Sequence, residues 1–123
     1  MDTMLTYFDC NVTIGSPMAG LLAPCPSAGA LVAELDWCGI DRALVRHVLM
    51  REQSPTVGNA ALSAAIAGQR RLVGTWAILP PQTDELAAGQ AFYDAMRQHG
   101  VGALWAFPDE HRYLLNRTTF GGW

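Results

Sequence analysis

The run Phe8-Asp9-Cys10-Asn11-Val12-Thr13-Ile14-Gly15 brings together the residue types best able to do chemistry in this sequence. Read as a strand over residues 7–14, it puts Asp9, Asn11 and Thr13 on one face and Cys10, Val12 and Ile14 on the other, because side chains alternate along extended backbone. A carboxylate, an amide and a hydroxyl in a row near the carboxyl end of a strand occupy the place where parallel α/β folds build their sites. The same groups also suit hydrogen bonds to neighbouring loop backbone. Arg46 and His47, near the end of a second strand, offer a cation and an imidazole to a substrate anion, or else anchor a loop. Trp76 and Trp105, on a third and a fourth strand, serve either as core or as flat platforms for a substrate. His111, just after Pro108-Asp109-Glu110, is placed either to reach the mouth of the sheet or to fill a structural role. Arg51 and Glu52 read as a solvated ion pair.

Other chemistries are excluded. All eight basic residues are arginine, so Schiff-base, pyridoxal-phosphate and phosphate-loop lysine chemistry are absent. Gly15 and Gly20 are spaced like a phosphate loop, but Leu21-Leu22 stand where that loop needs Lys and Ser/Thr. No Ser/His/Asp or Cys/His arrangement with a nucleophile elbow occurs. The three cysteines, Cys10, Cys25 and Cys38, share no C-x-x-C spacing and are expected to be reduced and mostly buried. A net charge of −3 without lysine clusters argues against nucleic acid or anionic membrane as the main partner.

The elements that must position these residues alternate between strand and helix. After the first strand comes a Pro/Gly/Ser-rich loop over 15–27, then a helix capped by Ser27, with Leu31, Leu35 and Cys38 at helical spacing and Gly39 as its stop. Residues 43–49 form the second strand, 51–58 a polar loop and 59–67 an Ala-rich helix. The third strand spans 72–79 and is cut off by Pro80-Pro81, which lack hydrogen-bond donors. Thr83 is expected to cap a third helix, with Asp84 and Glu85 in its first turn and Phe92 and Met96 on its apolar stripe. The fourth strand spans 101–107, and residues 109–123 show no period. Strand centres near 10, 45, 76 and 104 lie about 30 residues apart, the length of a β-α-β step.

The 123 residues, half of them hydrophobic and only 15% charged, suffice for one domain that buries roughly two thirds of its unfolded surface. No apolar run approaches the roughly 18 residues of a membrane span. The start, Met1-Asp2-Thr3-Met4, lacks the basic and apolar regions of a secretory signal, so a cytoplasmic protein is expected. Two architectures fit the pattern: a complete doubly wound domain, or part of an eight-unit barrel, in which about 31 residues make one unit.

The order of landmarks resembles the amidohydrolase superfamily, specifically its amidohydrolase-related (type 2) metal-dependent hydrolases. Asp9-x-Asn11-x-Thr13 and Gly15 align with that family's first-strand D-x-H-x-H and following Gly. Residues 31–43 look like its first helix and entry to the second strand. Gly58-Asn59, Arg71-Leu72-Val73-Gly74 and Leu79-Pro80 resemble its next landmarks, and the run from His99 to Pro108 its fourth strand. The resemblance implies a TIM-like (β/α)8 barrel, of which about four strands and three helices are present, as a single partial domain over 1–123 truncated after strand four. It also implies zinc or another divalent metal, and hydrolysis or decarboxylation of a small carboxylated or cyclic substrate.

Here Asn11 and Thr13 replace the two metal-binding histidines, and amide and hydroxyl oxygens are weak zinc ligands. The family's later ligands lie on strands five, six and eight. No metal is therefore expected from this chain alone, and Asp9, Asn11 and Thr13 are read as lining a degenerate site. The alternatives are a non-catalytic barrel that binds a small ligand or a partner, and a self-contained doubly wound domain. A second copy or another chain that completes the barrel is the expected protein partner.

Overall fold

The computed structural model describes residues 4–20, 23–121 and 123; the first three residues and Leu21-Leu22, on which the leader and phosphate-loop readings partly rest, lie outside them. The chain begins with strand β1 (Phe8–Ile14) and helix α1 (Ala28–Cys38), followed by β2 (Arg42–His47), a single turn α2 (Leu49–Glu52) and α3 (Pro55–Ile66). Strand β3 (Leu72–Ala77), a 3-10 turn (Pro81–Thr83), α4 (Gln90–Gln98) and β4 (Val101–Trp105) come next. Two single turns, α5 (Pro108–His111) and α6 (Arg117–Phe120), follow the last strand.

Local chemistry sets most of these boundaries. The Ser27 hydroxyl accepts from the Ala30 amide at 3.1 Å, satisfying one orphan donor at the start of α1. At its other end Gly39 adopts a left-handed conformation, φ 69°.

Three expectations are corrected here. The second strand stops at His47, and the polar loop expected over 51–58 is helical at both ends. Ser54 caps α3 by accepting from the Val57 amide at 3.2 Å, and Pro55 is pre-set for a first helical position rather than a loop. Thr83 does not cap a helix: Asp84 and Gly89 take positive φ values of 54° and 59°, which breaks the chain before α4. The unpatterned tail contains α5 and α6, each only one turn and so too short to show a period.

The sheet has four strands in the order β1-β2-β3-β4, and every ladder is parallel. Parallel neighbours need crossovers, and right-handed crossovers that always step the same way deliver their helices to the same face. No reversal of strand order occurs among these four strands, whereas a doubly wound sheet binds ligands at such a reversal.

One face of the sheet carries the core. Ala43 and Val45 of β2 sit beside Leu72 and Gly74 of β3, all buried under helices. Gly74 allows a close approach there, since a Cβ on it would lie 2.9 Å from Ile66 Cδ1 of α3. Leu31 and Leu35 from α1, Leu62 and Ile66 from α3, and Phe92 and Met96 from α4 complete the cluster. Asn59 is a buried polar residue beside this cluster. Its side-chain amide donates to the Ala77 carbonyl at 2.9 Å and its Oδ1 accepts from the Ala77 amide at 2.7 Å, which closes off the end of β3. No helix among the described residues is long and apolar enough to cross a membrane.

Candidate functional site

On the face away from the helices, register sets Thr13 of β1, Arg46 of β2 and Thr75 of β3 side by side near the carboxyl ends, with Trp105 of β4 two residues further along. Thr13 pairs with Arg46, and Ala77 of β3 pairs with Trp105. Thr75 stands next to Arg46 on the β3 side, because Val45 pairs with Gly74. Arg46 Nε donates to Thr13 Oγ1 at 2.8 Å, and its guanidinium carbon lies 4.4 Å from the centroid of the Trp105 ring. Thr75 is fully buried, its hydroxyl turned down to donate to the Val45 carbonyl at 2.9 Å. A small residue at that place leaves Arg46 room to reach across to Trp105.

Arg46 is half-buried and carries its charge into a cavity of about 440 Å³ lined also by Pro17, His47, Val48, Glu52, Phe107 and Glu110. Among the described residues no carboxylate lies within ion-pair distance of it, and its two terminal nitrogens have no hydrogen-bond partner. Burial lowers its pKa from the ordinary arginine value, and the nearby positive charge of Arg51 lowers it further. An arginine remains protonated near neutrality all the same. It therefore presents two free donor nitrogens, with four N–H groups between them, and an uncompensated charge, the arrangement that receives a carboxylate.

His47 stands beside it on β2. The Leu49 amide donates to His47 Nδ1 at 3.2 Å, so the neutral ring carries its proton on Nε2. Burial lowers the pKa of this imidazole, which keeps it a neutral donor. Gly15 makes the approach possible. Its φ is 103°, and a Cβ there would lie 2.6 Å from Val48 Cγ1 and 2.9 Å from His47 Cε1.

The first-strand row is not laid out as strict alternation predicts. Asp9 pairs with Ala43 and Thr13 with Arg46, with a bulge between Asp9 and Val12. Four residues on β1 thus span three on β2, so register puts Asp9 opposite a helix-facing residue while Thr13 faces the cavity. The Asp9 carboxylate accepts from the Asn11 amide at 2.9 Å, closing the bulge. Asn11 is exposed.

These positions do not suit a divalent metal. Thr13 Oγ1 is already taken by a guanidinium donor, and an ion on that oxygen would meet a like charge. Among the described residues, no three of His, Cys, Asp and Glu gather in a metal-holding cluster.

The remaining candidates divide by location. Trp105 belongs to the site. Trp76 lies on the helix face, edge-on to Phe92 at 5.5 Å and donating to Ser63 Oγ at 3.0 Å. His111 packs edge-on against Phe107 at 5.7 Å, backing the cavity wall, and both its nitrogens are enclosed without a partner among the described residues.

The expected Arg51–Glu52 ion pair does not form. Arg51 Nε instead reaches Glu110 Oε1 at 2.7 Å, bridging α2 and α5, while Glu52 Oε2 accepts from the Met18 amide at 2.9 Å. A four-residue turn directs neighbouring side chains apart, and partners distant in sequence take them. The cysteines are free as expected, but Cys10 and Cys38 are exposed rather than buried and Cys25 is half-exposed. Sequence reasoning missed Phe107, Glu110 and Val48 as cavity walls, because each follows a strand end and carries no spacing signal.

Compared with models of known protein families, with curated proteins and with solved structures, the chain matches none of them.

Proposed function

We propose that this chain is a barrel-type (β/α) unit that binds the carboxylate of a small ligand at the carboxyl ends of its strands, without metal chemistry. The observation that carries the proposal is the Arg46 guanidinium, anchored by Thr13 and Trp105 yet without an acid partner among the described residues. Burying part of a charge is costly unless something compensates it, and a bound carboxylate supplies that compensation. The cavity size lies within the range of small-molecule sites.

The sequential strand order supports half of a TIM-like barrel in the manner of the amidohydrolases. The poor fit of Thr13 and Asn11 to a metal favours the non-catalytic form of that reading over the hydrolase or decarboxylase. Strands β1 and β4 are both sheet edges, which suits completion by further strands, from a second copy or from another chain. Three unpaired thiols support a reducing, cytoplasmic setting.

Thermal unfolding in the presence of 3-phenylpropionate tests the binding claim. The acid should raise the melting temperature of the wild-type chain, its uncharged amide should not, and Arg46→Gln should abolish the effect. Equal stabilisation by acid and amide would contradict the proposal.

A further inference from the structure

The walls of the cavity carry four charged side chains: Arg46, Arg51, Glu52 and Glu110. Two of them neutralise each other, since Arg51 and Glu110 form an ion pair at 2.7 Å. Arg46 and Glu52 are left. Among the described residues neither has an opposite charge within ion-pair distance. Each is nevertheless held in place by a polar contact, Arg46 by the Thr13 hydroxyl at 2.8 Å and Glu52 by the Met18 amide at 2.9 Å. Both are half-buried, so their charges are only partly screened by water. One cavity thus holds a fixed positive charge on the sheet side and a fixed negative charge on the side of α2, with the apolar surfaces of Val48, Phe107 and Pro17 also lining it.

We infer that the ligand of this site is a small zwitterion with an apolar body, its carboxylate on Arg46 and its protonated amine on Glu52. The inference rests on the carboxylate reading above and adds to it the second charge. A simple carboxylic acid would leave Glu52 facing an apolar ligand body without compensation. A simple amine would do the same to Arg46. Only a molecule bearing both groups satisfies both walls, and specificity of this kind follows from the cost of leaving a partly buried charge unpaired.

Three matched probes separate the possibilities by titration calorimetry on the whole chain: phenylalanine, 3-phenylpropionate and phenethylamine. These share an aromatic body and differ in the charged groups they carry. The expected result is that phenylalanine binds at least tenfold more tightly than either of the others. Glu52→Gln keeps the acceptor for the Met18 amide and removes only the charge, so it should erase the preference by weakening phenylalanine while 3-phenylpropionate binds as tightly as before or more tightly. Glu34→Gln, an exposed charge on α1 outside the cavity, should leave the preference intact.

Equal affinity for phenylalanine and 3-phenylpropionate overturns the inference while leaving carboxylate binding standing, as does a preference that survives Glu52→Gln or disappears in Glu34→Gln. If neither acid binds, or if both bind Arg46→Gln as well as wild type, the carboxylate reading itself falls. Circular dichroism of each variant separates lost binding from lost folding, and Arg46→Lys, which keeps the charge, gives a second test should Arg46→Gln not fold.

Discussion

The Arg46 guanidinium lies over the Trp105 ring, 4.4 Å from guanidinium carbon to ring centroid, although two strand spacings separate the residues across the sheet. Adjacent strands are about 4.8 Å apart, so β2 and β4 stand nearly 10 Å apart and the two side chains meet over β3, where Thr75 is small. The contact holds the guanidinium at a fixed place without neutralising it. A cation–π contact of this partly desolvated kind contributes on the order of 1 kcal/mol. Trp105→Leu should accordingly weaken 3-phenylpropionate about three- to tenfold, measured by calorimetry, without abolishing it. An unchanged affinity would show that the ring does not position the charge.

Gly15→Ala should destabilise the chain by on the order of 2 kcal/mol, since it combines a left-handed φ with a collision against Val48 and His47. Urea unfolding measures the loss. The variant should also weaken ligand binding, because the collision displaces a cavity wall. Retained stability would mean that the loop relaxes freely.

Asn59→Leu should cost on the order of 2–4 kcal/mol, because it leaves both the amide and the carbonyl of Ala77 without their buried partners. Asn59→Asp keeps the acceptor but sets a buried carboxylate oxygen against the Ala77 carbonyl, so at neutral pH it should be no more stable than the Leu variant, and it should recover on acidification as the carboxyl becomes a donor. A melting series on the three proteins checks the order.

The His47 imidazole has its pKa lowered by burial from the ordinary 6.5, and protonation would also forfeit the bond from the Leu49 amide. Below that ordinary value the unfolded chain takes up a proton that the folded chain resists. The unfolded state therefore binds more protons, and stability falls as pH is lowered from 6.5 toward the depressed folded value. Unfolding curves from pH 7.5 to 5.5 should show a steeper loss for wild type than for His47→Gln. Parallel losses would remove His47 as the source.

Much of this architecture was legible in the sequence. Ser27 and Gly39 announced element ends, and the spacing of strand centres announced the parallel sheet. Arg46 and His47 were candidates from their places near a strand end and Trp105 as a platform on the fourth strand, and the structure brings Arg46 onto Trp105. Periodicity failed where geometry departs from a regular strand. The bulge between Asp9 and Val12 removes Asp9 from the row that strict alternation assigned to it, because one extra residue reverses the facing of everything before it. It failed again at Arg51 and Glu52, whose partners lie far along the chain or on a loop backbone. Trp76 and Trp105 read alike in sequence, and only the register separates the core residue from the one in the site.

The most direct test of the central claim is to follow the arginine Nε–Hε signals by NMR while 3-phenylpropionate is added. Eight arginines and no lysine give a small set of signals, and Arg46 is identified by its loss in Arg46→Gln. A saturable shift of the Arg46 signal, larger than that of any other arginine and absent with the uncharged amide, is the predicted result. If Arg46 stays still while Arg51 or the exposed arginines move, the acid is not held by Arg46 and the proposed site is wrong.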